Sequence, residues 1–158
     1  MNALLIFLTV ASTVITVVGG VLAIHRYFRP DRLPQILSPP TGSENAGRRL
    51  AVSGVLPTPQ ASSTYWIAVQ PNDCREQDWW WPQRSQLTLG RKGMWNVQGV
   101  TLGREASAGG REDIDKGFTI ALFEIPTELK GVFRDDICIT KPPGCSLLHS
   151  IEVKRVRW

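Results

Sequence analysis

The sequence is poor in the side chains that most often bind metals or form disulfides. It has only two histidines, His25 and His149, and three cysteines, Cys74, Cys138 and Cys145, with no Cys-x-x-Cys pair. A structural zinc site needs four suitably spaced ligands, commonly Cys or His, and these residues supply no such set. An odd cysteine count also argues against a secreted, disulfide-stapled domain. We therefore predict no metal, no cofactor, and free thiols in a reducing compartment.

Motifs of the common enzyme classes are missing as well. The chain has no phosphate loop, no dinucleotide fingerprint and no nucleophile elbow. Asp135 and Asp136 are adjacent carboxylates without a partner base, and His149 is flanked by serines without an oxyanion motif. The acidic run at residues 112–115 lacks the alternation and central glycine of a calcium-binding EF-hand, so it predicts a solvated loop. The sequence therefore predicts a protein that is not an enzyme.

Charge is absent from the first 24 residues, which are mostly Leu, Ile, Val, Phe and Ala. A helix over Ala3–Ile24 would be roughly 33 Å long at ~1.5 Å per residue, enough to cross a hydrocarbon core of ~30 Å. No Lys or Arg precedes this run, whereas a cleaved signal peptide begins with a basic region. We predict that residues 1–27 form a transmembrane helix with an interfacial anchor.

Basic residues follow the apolar run, and they predict its orientation. Residues 25–32 carry Arg26, Arg29 and Arg32 against Asp31, a net +2 that is half of the chain's net charge of +4. The positive-inside rule then puts the N-terminus outside and the remaining chain in the cytoplasm. Because the rest of the chain carries only a small positive excess, the sequence predicts no nucleic-acid partner.

Small and hydroxyl residues lie along one side of the predicted helix. At 100° per residue, a stripe within about 60° contains Thr9, Thr13, Thr16 and Gly20. Such stripes let transmembrane helices approach closely and hydrogen-bond to one another. The alternative is that the threonines bond back to their own helix. We favour self-association into a homo-oligomer.

Proline and glycine then dominate residues 28–49, which include Pro30, Pro34, Pro39, Pro40 and Gly42. Proline continues neither a helix nor a central strand. We therefore predict a linker over residues 28–49, with a short apolar patch at Leu33, Ile36 and Leu37.

Short apolar runs separated by turn residues fill residues 50–158. This spacing is typical of an antiparallel β-sandwich or barrel. A single short helix is predicted at Thr127–Arg134, where apolar residues recur at helical spacing. The predicted strands are 50–56, 65–69, 79–81, 86–89, 94–100 with a disturbance near Gly99, 118–123 and 150–157.

Three consecutive tryptophans are the most distinctive feature of this domain. In a strand, Trp79 and Trp81 share one face and Trp80 points to the other. The simpler interpretation is that Trp66, Trp80 and Trp95 fill the core and a loop covers the rest. The functional interpretation is that Trp79 and Trp81 bind a ligand or partner, because aromatic surface anchors interfaces.

One stretch of residues 65–120 resembles an immunoglobulin-like β-sandwich module of bacterial proteins. The matching strings are Tyr65-Trp66, Val69-Gln70-Pro71, Trp80-Trp81-Pro82-Gln83, Gly93-Met94-Trp95 and Gly117-Phe118-Thr119-Ile120. In that module a tryptophan–proline–glutamine strand precedes a glycine–x–tryptophan strand. The resemblance implies a non-catalytic sandwich, often joined to a transmembrane helix in signalling or conflict systems. This chain departs in Trp79 and in the long loop Gly103–Lys116.

Two functional hypotheses follow. In the first, a cytoplasmic module anchored in the bacterial inner membrane binds a partner protein or a small ligand. In the second, an oligomerising effector of antiviral defence disrupts the membrane when its cytoplasmic domain is triggered. A third hypothesis is an extracytoplasmic domain that faces lipid or glycan, and a topology reporter fused to the C-terminus would test it.

Overall fold

The computed structural model describes residues 33–45, 47–83, 87–103, 113–129, 131, 138–141 and 144–157. Within these residues, no helix combines the length and apolar character needed to cross a membrane. The helix predicted for residues 1–27 lies outside them. So do its association stripe and its basic flank, namely Thr9, Thr13, Thr16, Gly20, Arg26, Arg29 and Arg32.

The described part of the chain is mainly β, as predicted, with two sheets. The strands are β1 (Gln35–Ser38), β2 (Ser43–Asn45), β3 (Arg49–Val55), β4 (Ser63–Pro71), β5 (Trp79–Pro82), β6 (Met94–Thr101), β7 (Gly117–Pro126), β8 (Ile139–Thr140) and β9 (Ser146–Arg155). A three-stranded sheet has the order β1-β3-β6, and a six-stranded sheet has the order β2-β9-β7-β4-β5-β8. All neighbours are antiparallel except β2 and β9, so the predicted antiparallel arrangement is wrong for that pair.

The two sheets pack on a shared apolar core. Strand residues alternate between the faces of a sheet, and alternate positions of β4 and β7 point toward the three-stranded sheet. Removal of this apolar surface from water is the main stabilising contribution. The buried residues of this core are Ile36, Val52, Leu56, Tyr65, Ile67, Val69, Leu87, Trp95, Val100, Leu102, Phe118, Ile120, Leu122, Ile151 and Val153.

The opposite face of the six-stranded sheet carries a second apolar cluster. Its buried members are Trp66, Ala68, Trp80, Ala121, Phe123, Ile125 and Cys145, with Leu129 and Ile139 packed against them. Burial on both faces explains why β4 and β7 are almost continuously apolar. The predicted burial of Trp66, Trp80 and Trp95 is confirmed, but only Trp95 lies between the sheets.

The predicted linker over residues 28–49 extends too far into the chain. It includes β1 and β2, and Ile36 of β1 is buried in the core. Pro39 and Pro40 lie between these two short strands, where no ladder hydrogen bond is needed from proline. The peptide bond between Ser38 and Pro39 is cis. The folded unit therefore starts at Pro34 rather than at Leu50.

Two predicted elements also differ in detail. The described residues of the predicted strand 86–89, namely Leu87–Leu89, do not form a strand. The side chain of Leu87 is buried in the core, and its amide donates to the carbonyl of Tyr65 at 2.8 Å. The predicted helix begins as a 3₁₀ turn at Thr127–Leu129, and much of its remainder lies outside the described residues. The disturbance predicted near Gly99 is confirmed as a register shift opposite Leu50 and Val52.

Candidate functional site

A cavity of about 820 Å³ opens at the β5 side of the molecule. Three strands cannot cover the whole face of six, so the face of β5 directed toward the smaller sheet is left open beside the end of β6. Residues from the beginnings of β3 and β7 and from the end of β4 complete the wall. We call this space the edge cavity. Its volume falls within the ~300–1,000 Å³ typical of small-molecule sites.

Two of the three consecutive tryptophans line the edge cavity. Trp81 pairs with Val69 of β4 and shares its face, and Trp79 lies two residues earlier on the same side. Trp79 is 44% exposed and Trp81 is half-buried. The structure therefore brings both predicted binding residues into one concave wall, and their role in binding stays a prediction.

Trp80, between them, lies in the opposite environment. Its ring meets Phe123 edge-on, with ring centroids 5.0 Å apart, and its Nε1 donates to the Asp78 carboxylate at 2.8 Å. An edge-to-face pair with a satisfied indole N–H is a favourable buried arrangement. Trp80 therefore holds β5 to the sheet and leaves its two neighbours available to the cavity.

Two buried glutamines fix the backbone of the tryptophan strand. Gln70 Nε2 donates to the Trp79 carbonyl at 3.2 Å, and Gln83 Nε2 donates to the Trp81 carbonyl at 3.1 Å. The amide of Thr101 on β6 donates to Gln83 Oε1 at 2.7 Å. Because these side chains are buried, their hydrogen bonds are costly to break. Gln83 thus links the two sheets at the rim of the edge cavity.

Two arginines, Arg48 just before β3 and Arg49 at its first position, bring positive charge to the cavity. Arg48 Nε donates to the Gly103 carbonyl at 3.2 Å, and this bond holds the side chain beside the opening. Arg49 is exposed, and its guanidinium makes no hydrogen bond or ion pair with any described residue. Guanidinium groups suit bidentate binding of phosphate and carboxylate. Arg49 is therefore available to an anionic ligand.

The carboxylates of the cavity are engaged by a lysine. Lys116 Nζ lies 3.0 Å from Asp73 Oδ2 and 3.5 Å from Asp113 Oδ1. The hydrogen bond from Lys116 lowers the pKa of Asp73, and the same bond raises the pKa of Lys116. Asp113 is only 6% exposed, so the prediction of a solvated acidic loop is wrong for this residue. Lys116 partly neutralises the negative charge in the cavity.

All three cysteines are free, and one of them lines the cavity. Burial raises the pKa of the Cys74 thiol, and the neighbouring Asp73 carboxylate adds to the effect. Burial likewise raises the pKa values of Cys138 and Cys145. A raised pKa keeps a thiol protonated and weakly nucleophilic at neutral pH. Within the described residues, no group of three or more His, Cys, Asp or Glu side chains could hold a metal ion.

Sequence reasoning missed the polar half of the site. Arg48 and Arg49 fell inside the predicted linker, Lys116 closed the predicted loop, and Gln83 stood out only within the resemblance. The two adjacent arginines before an apolar strand were the sequence feature that could have indicated an anion site. Only the strand order shows that they lie beside β5.

Comparisons with protein-family models, with curated proteins and with solved structures gave no match to this chain. The geometry of the edge cavity is therefore the basis for a functional assignment.

Proposed function

We propose that this chain is a membrane-anchored sensing module whose β domain binds a small ligand in the edge cavity. The observation that carries the proposal is the pair Trp79 and Trp81 in the wall of a cavity of about 820 Å³. A concave site that joins apolar and aromatic surface to polar groups that orient the ligand is the usual form of a small-molecule site. Trp79 stays 44% exposed, so a ligand would cover apolar surface that the fold leaves in water.

A small ligand suits this site better than a partner protein. Protein interfaces of ordinary size bury about 800 Å² on each partner, mostly over a broad surface. The two tryptophans lie instead inside a concave wall, together with Arg49 and the Lys116–Asp73 pair. Convergence of apolar and charged groups on one hollow favours a compact molecule.

The strand order supports the immunoglobulin-like assignment. Immunoglobulin-like sandwiches put their first, second, fourth and fifth strands in one sheet and their third, sixth and seventh in the other. With β2 as a continuation of β1, with β5 and β8 as added strands beside the third, and with no strand in the place of the fourth among the described residues, the orders β1-β3-β6 and β2-β9-β7-β4-β5-β8 follow this plan. Such sandwiches support many unrelated functions, so the site must supply the functional argument.

The sequence of residues 1–32 supports the anchor and its direction. An uncharged run long enough to span a bilayer precedes Arg26, Arg29 and Arg32. We propose one N-terminal transmembrane helix in the bacterial inner membrane, with the β domain on the cytoplasmic side.

The proposal is tested by ligand retention on the full chain in detergent micelles. The chain is incubated with a protein-free extract of bacterial cells, washed, and denatured, and the released compounds are identified by mass spectrometry. We expect at least one compound to be retained by the wild-type chain and lost from Trp79→Ala and Trp81→Ala. Met94→Ala is the matched control, because Met94 is 49% exposed but does not line the cavity. Equal retention by all four chains would contradict the proposal.

A second function is favoured by the stripe Thr9, Thr13, Thr16 and Gly20. A ligand-triggered oligomer that packs along this stripe would disrupt the membrane, as an effector of defence does. Dye leakage from vesicles that contain the clustered full chain tests this function. Leakage should disappear in a variant with Thr13→Leu and Gly20→Leu, and its absence in the clustered wild type would contradict the effector function.

A further inference from the structure

We infer that the edge cavity takes a nucleotide, with the base against Trp79 and Trp81 and the phosphate at Arg49. This inference rests on the proposed function and names the ligand class of the same cavity. It combines three features of the described residues: an aromatic wall, an available guanidinium, and carboxylates already engaged by Lys116.

The spacing of the two tryptophans suits one planar ring. Side chains two residues apart on a strand are separated by about 6.7 Å along it. A ring in contact with two neighbours at about 3.5 Å each needs roughly 7 Å. Base–aromatic stacking tolerates every base, because each has a π-face. The half-buried Trp81 and the exposed Trp79 therefore offer an inner and an outer contact to a base.

The arginines supply the charge that a phosphate needs. The cavity is lined by three cations, Arg48, Arg49 and Lys116, and by two carboxylates, Asp73 and Asp113. Lys116 lies within 3.5 Å of both carboxylates and Arg48 donates to the Gly103 carbonyl, so the guanidinium available to a phosphate is that of Arg49. Arg49 has no partner among the described residues, and its planar fork matches phosphate oxygens. A neutral nucleoside would leave this guanidinium without a partner.

The rigidity of the tryptophan strand favours binding of a flat ligand. Gln70 and Gln83 hold the Trp79 and Trp81 carbonyls, and Gln83 also accepts from β6. A wall that is ordered before binding has less entropy to lose when the ligand arrives. The buried amide groups thus act on affinity through the tryptophans that they position.

Calorimetric titration of the full chain in detergent micelles tests the inference. The probes are AMP, GMP, CMP and UMP, with the four corresponding nucleosides and inorganic phosphate as partial ligands. We expect at least one nucleotide to bind, and its nucleoside and phosphate each to bind at least about tenfold more weakly. Trp79→Ala should weaken both nucleotide and nucleoside by about tenfold or more, whereas Trp79→Phe keeps most of the affinity.

Arg49→Gln separates the charge contribution from stacking. It should weaken the nucleotide by about tenfold and leave the nucleoside unchanged. Arg91→Gln is the matched control, because Arg91 is exposed and does not line the cavity. Circular dichroism of each variant shows whether it is folded. If Trp79→Ala is unfolded, Trp79→Phe and Arg49→Gln still test the inference.

Three results would overturn the inference. These are the absence of binding by all four nucleotides, equal affinity for nucleotide and nucleoside, and a short single-stranded oligonucleotide that binds far more tightly than any nucleotide. If Trp79-dependent retention from the cell extract yields a compound that is not a nucleotide, the proposed function stands and the ligand class is wrong. If neither experiment detects binding, both are wrong.

Discussion

Two neighbouring regions of the inner face of the six-stranded sheet are built from the same alternation but meet different surroundings. Over β4 and β7, residues such as Tyr65 and Ile120 are 5% exposed or less beneath the three-stranded sheet. At β5 the equivalent positions are Trp79 and Trp81, which border the edge cavity. The residue pattern is the same in both regions. Whether an aromatic side chain is buried in the core or faces the cavity therefore depends on whether a strand of the smaller sheet covers it.

Adjacent tryptophans give the strongest test of this comparison. Trp80→Ala should lower the free energy of unfolding by about 3–5 kcal/mol, because it removes a buried ring that contacts Phe123. Trp79→Ala should lower it by about 1 kcal/mol or less, since Trp79 is 44% exposed. Urea unfolding of the full chain in micelles, followed by circular dichroism, measures both. Similar losses for the two variants would contradict the division into a closed and an open region.

Gly54 tests the closed region from the side of the three-stranded sheet. A Cβ at this position would clash with the Gln35 carbonyl and with the Trp95 ring. Gly54→Ala should therefore lower the free energy of unfolding by about 1–3 kcal/mol through overpacking. Gly131→Ala is the control, because a Cβ there meets no atom within 4 Å. Equal unfolding midpoints for the two variants would show that the core relaxes freely.

Gln83 lies on the border between the two regions. Gln83→Met keeps the length of the side chain but removes the acceptor of the Thr101 amide and the donor to the Trp81 carbonyl. We expect this variant to lower the free energy of unfolding by about 1–2 kcal/mol. The control Gln98→Met removes only an exposed bond to Asn96, and it should change stability by less than about 0.5 kcal/mol. Hydrogen exchange at the Thr101 amide should rise in the first variant alone.

The smallest expected effect concerns pH and the Asp73–Lys116 pair. The pKa of Asp73 is lowered, so its stabilising contribution is present above the unfolded pKa and disappears as pH falls through the folded pKa. The pKa of Lys116 is raised, so its contribution is present below its unfolded pKa and disappears as pH rises through the folded value. Since the two side chains are 56% and 36% exposed, the pair contributes less than about 1 kcal/mol.

A double-mutant cycle isolates that pair. Asp73→Asn, Lys116→Met and the double variant are unfolded at several pH values between about 3 and 7. The coupling energy should be constant near neutral pH and should decrease only toward the acid end. A coupling that persists after Asp73 is protonated would show that charge does not hold the pair together.

The sequence predicted the elements whose pattern is long and regular. The runs around Ile67 and Ile120 became central strands because every second residue faces one apolar core, and the disturbance at Gly99 became a register shift. The three consecutive tryptophans could be assigned to the two faces of the sheet from the sequence, because Trp80 must point to the opposite face from Trp79 and Trp81 in a strand. These predictions depended on local periodicity alone.

Features set by pairing between distant strands were beyond sequence reasoning. β1 and β2 are short and are separated by Pro39 and Pro40, so they look like a linker until their partners β3 and β9 are known. The burial of Asp113 and Arg155 could not be predicted from the sequence either, because charged residues are rarely buried. Arg155 is enclosed because its guanidinium donates to the Leu102 carbonyl at 3.1 Å. Arg49 lies at the cavity because β3 pairs with β6, where Arg49 is opposite Thr101.

The parallel pairing of β2 with β9 has a mechanical consequence. Ser43–Asn45 runs beside Val153–Arg155 in the same direction, and backbone bonds from Gly42 to Glu152 and from Val156 to Asn45 extend the contact. A tensile force that reaches β2 from the preceding chain and acts against the C-terminal end would load these bonds in shear, all together rather than one after another. Parallel pairing of this kind resists extension between β2 and the C-terminal end of β9.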